Sequence, residues 1–299
     1  PATPATSKPP ATRRPAAQTS IPFSLARADA SADGATGEAL RVASARGSGF
    51  AGRVMRHVRR LRLAQWLFLL SWLTCAAAQL AAAERPNIIV ILSDDYGYGS
   101  AGCYGAPAAL VRTPNIDRLA SQGALFTQAY ASSPVCSPSR AALMTGSYAK
   151  RALPIPGVLF PRGAVGLNPA ERTIAEVLRD AGYATAMIGK WHLGLSSPNT
   201  PTERGFDFFH GFLGDMMDDY LTHRRGGQNF MRRNQEVIDP PGHATDLFTN
   251  WACDYVTERS ATGQPFFLYL AYNAPHDPIQ PPPDWLARVK HREPQMTDQ

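Results

Sequence analysis

Asn87-Ile88-Ile89-Val90-Ile91-Leu92-Ser93-Asp94-Asp95 is the stretch on which the fold turns. An almost continuous apolar run rich in β-branched residues predicts a short strand buried on both faces, as in parallel sheets. The two carboxylates that follow it repel one another. At a strand end a hard divalent cation is the usual compensation, whereas an isolated Asp-Asp is more often a solvated turn.

Outward from this strand the pattern alternates. Thr113-Pro114 predicts a helix start, with Thr as N-cap and Pro at the first position, running to Gly123. Ala124 to Tyr130 reads as a strand, and a helix from about Ser137 stops before Gly146. Thr173 to Ala181 is helical up to Gly182, Tyr183 to Ile188 a strand, Thr245 to about Arg259 a helix, and Phe266-Phe267-Leu268-Tyr269-Leu270 a further buried strand. The fold class is therefore α/β, with a mainly parallel central sheet flanked by helices. Such sheets carry their chemistry at the carboxyl ends of strands. Gly97-Tyr98-Gly99-Ser100-Ala101-Gly102 spells a dinucleotide fingerprint. It is rejected, because Asp94 and Asp95 would repel a pyrophosphate and Pro107 and Pro114 interrupt any following helix.

The net charge of +6 on 299 residues raises the question of nucleic acid or anionic membranes. Residues 1–83 hold 11 Lys+Arg and 3 Asp+Glu, which leaves 19 against 21 over residues 84–299. The body is slightly acidic, and the inference of a nucleic-acid partner falls. Residues 1–54 are Ala-, Pro-, Ser- and Arg-rich without an apolar period and read as disordered. Residues 55–83 read as a secretory signal peptide. The basic run Met55 to Arg62 precedes the apolar stretch Leu63 to Leu73, then small-x-small sites at Ala76-Ala77-Ala78 and Ala81-Ala82-Ala83. The apolar run is shorter than the roughly 20 residues of a membrane span, so no stable membrane insertion is expected after cleavage. Trp72-Leu73-Thr74 fits a lipid anchor on Cys75 poorly. Signal peptides stand first in a chain, so Met55 is read as the initiator and residues 1–54 as misassigned upstream sequence. An exported protein is expected, periplasmic or secreted, or lysosomal in a eukaryote.

Ser133-Pro134-Val135-Cys136-Ser137-Pro138-Ser139-Arg140-Ala141-Ala142-Leu143-Met144-Thr145-Gly146 is the most informative segment. It puts a cysteine at a helix N-terminus, where dipole and free amides favour negative charge, with Arg140 one turn along on the same face. Alone, that is either a nucleophilic thiol or a small buried residue beside a cap. Lys190 and His192 fall on one side of an extended chain by its two-residue period, though such a pair is ordinarily a surface loop. His276, between prolines, is ordinarily a turn residue.

Together these segments resemble the type I sulfatases, of the alkaline phosphatase-like superfamily, in which the cysteine of Cys-x-Pro-Ser-Arg is oxidised to formylglycine. Asn87 to Asp95 resembles the family's first strand and metal-binding aspartate pair, and Thr113 to Ala120 the helix that follows. Gly189-Lys190-Trp191-His192-Leu193-Gly194 resembles its Gly-Lys-Trp-His-Leu-Gly block, and Pro265 to Leu268 leading to Ala274-Pro275-His276-Asp277-Pro278 its Pro-His-x-Pro histidine. Pro156 to Pro161 with Gly166 to Pro169 resembles the arylsulfatase A-like branch.

The resemblance implies a sulfuric ester hydrolase acting on a sulfated small molecule or glycan, with a formylglycine-generating maturation enzyme as partner. A hydrated aldehyde at position 136 would be the nucleophile. One hydroxyl attacks sulfur, and deprotonation of the second expels sulfate; a serine could only be trapped as its ester. Asp94 and Asp95, with the position-136 side chain, would hold a divalent cation, Ca²⁺. Arg140 and Lys190 would carry the sulfate's negative charge. His192 would be the base, and His276 the acid or donor near the leaving oxygen.

The family also has an Asp-Asn metal pair and a second active-site lysine downstream of the Pro-His motif. No Asp-Asn dipeptide follows His276 here, so residues 84–299 are expected to be the N-terminal part of the catalytic domain, with an exposed sheet edge. Two other functions stay open: a phosphonate or phosphodiester hydrolase using the same device, and an inactive sulfate-binding homologue. Cys103 and Cys253 either pair or are free thiols. Arg224-Arg225 and Arg232-Arg233 either attract an anionic substrate or form a solvated loop. Met216-Met217 and Phe206 to Phe209 read as core or pocket lining.

Overall fold

The structure is a computed structural model; it describes residues 85–295 except 156, 162 and 164, and Gln65. The readings of residues 1–54 as disordered and 55–83 as a signal peptide thus lie outside the described residues, Gln65 aside.

A six-stranded sheet organises the chain. Its strands are β1 Ile88–Leu92, β2 Ala184–Lys190, β3 Phe208–Phe212, β4 Met231–Arg233, β5 Glu236–Val237 and β6 Phe266–Ala271. Their order is β1-β6-β2-β3-β4-β5. The first four in that order are parallel, while β4 and β5 add antiparallel pairs at one edge. The helices are α1 Pro114–Gln122, α2 Cys136–Thr145, α3 Ile174–Asp180, α4 Ala244–Ser260 and α5 Pro283–Val289, besides the short turn Ala149–Ala152. Packing places α4 on β2, β3 and β6, and α3 against β2 and α2. This is the mainly parallel α/β arrangement predicted from the alternation.

Local sequence accounts for much of this. Thr173 and Glu176 form a reciprocal capping box at the start of α3, each side chain accepting from the other's backbone N–H at 3.1 and 2.9 Å. The buried Arg204 pairs with Glu176 at 3.2 Å, and its peptide carbonyl accepts from Thr173 Oγ1 at 2.9 Å, which fastens the cap to the loop before β3. α2 stops where Gly146 takes φ 64°, its N–H returning to the carbonyl of Ala142. Phe206, Phe209, Met217, Phe267 and Trp191 are buried in the core, as predicted for the first three.

Four expectations need correction. β1 is not buried on both faces: Ile89 and Ile91 are 46% and 62% exposed. The strand pairs only with β6, and no helix lies over those two side chains among the described residues. Ala124 to Tyr130 is not a strand. It finds no ladder partner among the described residues, and Leu125, Phe126 and Tyr130 face solvent. Thr113 occupies the cap position of α1, but its hydroxyl accepts from Gly102 N–H and donates to Asp117 instead of capping. Finally, Lys190 and His192 do not share an extended stretch: β2 ends at Lys190, and His192, two residues on, takes φ 57°.

His210 on β3 stacks on Trp251 of α4, ring centroids 3.4 Å apart. Burial, helped by Arg233, holds its pKa down at about 4 instead of 6.5. The folded state keeps the ring neutral while the unfolded chain protonates below 6.5, so this contribution is present above pH 6.5 and lost as pH falls toward 4. His210→Phe keeps the stack and removes the titration. Its stability should fall less between pH 7 and pH 4.5 than the wild type's, by about 1–2 kcal/mol after discounting for partial exposure. Urea unfolding at the two pH values measures this, and equal losses would dismiss the assignment.

Candidate active site

Three neighbouring parallel strands deliver the site. β1 runs into Asp94 and Asp95, β6 into Asn273 and His276, and β2 ends at Lys190 with His192 two residues on. Because β1, β6 and β2 are parallel, these ends meet on one side of the sheet. Two hydrogen bonds prolong the β1–β6 pairing past the ladder: Tyr272 N–H to Leu92 carbonyl at 2.8 Å, and Asp94 N–H to Ala274 carbonyl at 3.1 Å.

Asp94 is the centre of the charge. Its carboxylate is paired with the Lys190 ammonium and lies 3.6 Å from Arg140 Nη2. All three residues are buried. Arg140 reaches across from α2 and donates Nη1 to the Lys190 carbonyl at 2.7 Å and to Tyr269 Oη at 3.4 Å. Burial and the neighbouring Arg140 push Lys190 below its ordinary pKa, against the pull of Asp94. Arg140 Nε and Nη2 have no hydrogen-bond partner among the described residues. A buried guanidinium with unused donors is costly unless an anion takes them.

Cys136 is the first residue of α2 and half-buried. Position 136 is close enough for a negative charge there to raise Lys190. His192 is buried, with Nε2 2.7 Å from the Leu159 carbonyl and 2.8 Å from Ser137 Oγ. Burial foremost, then Lys190, depresses its pKa far below 6.5, so the ring is neutral. His276 Nε2 sits 3.6 Å from Asp95, and Tyr220 Oη supports the His276 carbonyl at 3.0 Å. Cys136, Arg140, Lys190, His192, His276, Asp94 and Asp95 are therefore brought to one set of strand and helix ends.

Sequence reasoning passed over Ser137, Tyr269, Tyr220 and Asn273. Tyr269 carried a signal: a phenol in an otherwise apolar buried strand needs a partner for its hydroxyl. Asn273 is buried with neither amide atom hydrogen-bonded among the described residues, which nothing in its sequence context announces. Of the basic pairs, the first is neutralised internally: Arg224 is paired with Asp239 and Arg225 with Asp215 and Asp218. In the second, Arg232 donates to backbone carbonyls of Asn229 and Met231, and Arg233 lies over the Phe208 ring at 6.0 Å. Cys103 and Cys253 do not pair with each other or with another described cysteine.

A divalent cation does not find a full set of ligands here. Among the described residues no group of three or more His, Cys, Asp or Glu could hold a metal. Asp94 is already engaged by two cations, and two adjacent carboxylates fall well short of the 6–8 oxygens Ca²⁺ takes. No described helix is long and apolar enough to cross a membrane.

The chain is similar to known proteins. The chain is 49% identical over 235 residues to arylsulfatase A of Homo sapiens, covering 70% of this chain and 45% of that protein. Ps i-CgsB, solved in complex with k-i-k-neocarrahexaose, superposes with TM-score 0.64 at 35% identity, covering 69% of this chain and 49% of that one. A protein solved with its substrate D-glucosamine-2-N,6-O-disulfate superposes with TM-score 0.57 at 32% identity, covering 69% and 38%. The chain thus spans about half the length of curated relatives such as arylsulfatase A. The family model described as Sulfatase matches residues 86–299, which takes in every strand and every motif residue of the site: the chain belongs to the sulfatase family.

Proposed function

We propose that this chain carries the nucleophile, anion-binding and proton-transfer groups of an exported sulfuric ester hydrolase that cleaves sulfate monoesters of a small molecule or glycan. The observation that carries the reading is the buried pair Arg140 and Lys190 beside position 136, with two guanidinium nitrogens that make no hydrogen bond among the described residues. The anionic oxygens of a sulfate ester would occupy those donors, and the α2 N-terminus adds its own positive end.

In this reading a maturation enzyme oxidises Cys136 to formylglycine, whose hydrate supplies the attacking oxygen. Arg140 and Lys190 hold the charge that gathers on the sulfate oxygens, in a site where burial strengthens each contact. Neutral His192 accepts a proton, and His276 donates toward the leaving oxygen. Asp94, Asp95 and the position-136 side chain would be ligands of a divalent cation, Ca²⁺, whose full set is not found among the described residues; no step here relies on it.

Tryptic mass spectrometry of the full chain, made in cells that contain the maturation enzyme, tests the nucleophile. The expected peptide carries an aldehyde at position 136, and unmodified cysteine throughout would favour a sulfate-binding homologue without turnover. Assay of aryl sulfates against phosphodiesters tests the reaction, and a clear preference for phosphodiesters overturns it.

A further inference from the structure

The surroundings of His192 are more closely built than a general base alone requires. Its Nε2 is 2.7 Å from the Leu159 carbonyl and 2.8 Å from Ser137 Oγ, and Leu159 N–H donates to the same Ser137 Oγ at 3.0 Å. Ser137, the Leu159 peptide and the ring form a closed three-way clamp, with Ser137 and His192 buried. A carbonyl oxygen can only accept. At 2.7 Å, Nε2 must therefore carry the hydrogen, since a bare Nε2 would set two lone pairs against each other. Nδ1 is then the bare nitrogen, and it is buried without a hydrogen-bond partner among the described residues. The backbone of His192 is in the left-handed region at φ 57°, a conformation that persists only where the surroundings over-determine it.

From this clamp we infer that Ser137 is a positioning residue: it anchors the Leu159 peptide, which holds His192 as the Nε2–H tautomer and leaves Nδ1 the only ring atom able to take a proton. The ring nitrogen that transfers protons is set by the bond the other one makes. Ser137 acts through Leu159 and His192 and touches no reacting atom. The inference rests on the reading of His192 as the base only for its catalytic meaning, since the tautomer itself is observable without turnover.

The test is a long-range ¹H–¹⁵N correlation spectrum of the full chain labelled with ¹⁵N-histidine, with His192 assigned from the signals lost in His192→Gln. The wild type should give one set at pH 7, Nδ1 in the bare-nitrogen range and Nε2 in the protonated range. Ser137→Ala should shift both nitrogens toward intermediate, exchange-averaged positions, and Ser137→Thr, which restores a hydroxyl, should return them. A wild-type Nδ1–H tautomer, or a Ser137→Ala spectrum identical to wild type, overturns the inference. If Ser137→Ala does not fold, the wild type and Ser137→Thr decide: both must show the single Nε2–H form, and a mixture in either refutes it. Undiminished turnover of a sulfate ester by His192→Gln would remove the base assignment while leaving the clamp in place.

Discussion

Asp94→Ala is expected to lower the unfolding free energy by about 3–5 kcal/mol, the cost of breaking a buried pair by removing one partner. The reason lies in what stays behind. Lys190 is fully buried and Arg140 nearly so, and without the carboxylate two like charges face each other in a low-dielectric interior. The Lys190 pKa, already depressed by burial and by Arg140, would lose the one neighbouring carboxylate that opposes that depression. Urea unfolding at pH 7 gives the magnitude. Adding Lys190→Met to Asp94→Ala should recover part of the loss, because it removes one stranded cation; additive losses in the double-mutant cycle would show that the two residues do not act as a pair. A loss under 1 kcal/mol for Asp94→Ala would mean that the carboxylate is not balancing these cations.

Gly189→Ala should cost a similar amount, about 3–5 kcal/mol, from left-handed backbone strain and steric overlap together. Gly189 has φ 104°, and a Cβ there would lie 1.9 Å from the Ala271 carbonyl oxygen. That oxygen belongs to the backbone of the neighbouring strand β6, so the clash cannot be relieved by a rotamer change. β2 would have to move away from β6, and Lys190 with it. The variant should therefore unfold at lower urea and, where folded, show altered titration at the site. A thermal unfolding midpoint within two degrees of wild type would contradict the described backbone.

What could be read in advance was local. The apolar run of β6, the cap at Thr173 and Glu176, and the stop at Gly146 are each specified within a few neighbouring residues, and the alternation of such elements implies a parallel sheet. Cys136, Arg140, Lys190, His192, His276, Asp94 and Asp95 stood out by residue type and by family resemblance. What escaped was decided at long range. Whether Ile89 and Ile91 are covered depends on which elements lie over β1, not on β1 itself. Whether Ala124 to Tyr130 forms a strand depends on a partner edge it does not find. Lys190 and His192 come to the site from the end of β2 and from a left-handed residue beyond it, where a uniform two-residue period was expected. The Ser137 clamp joins residues 22 and 55 positions apart, a separation at which neither hydrophobic pattern nor capping rules carry information.

The place of β1 in the sheet also sets a schedule. Its only ladder partner among the described residues is β6, and the contact that starts the pairing, Phe266 N–H to Asn87 Oδ1, joins residues 179 positions apart. During synthesis at roughly 5–20 residues per second, Ile88 to Leu92 wait on the order of ten seconds for the strand that will receive them. By then β2 and β3, which pair with each other across residues 191–207, are already available to nucleate. β1 is therefore among the last elements to dock and contributes a long loop closure to the folding barrier. The aspartate that anchors the buried cations arrives with it, so the charge centre is assembled only once the sheet behind it is complete.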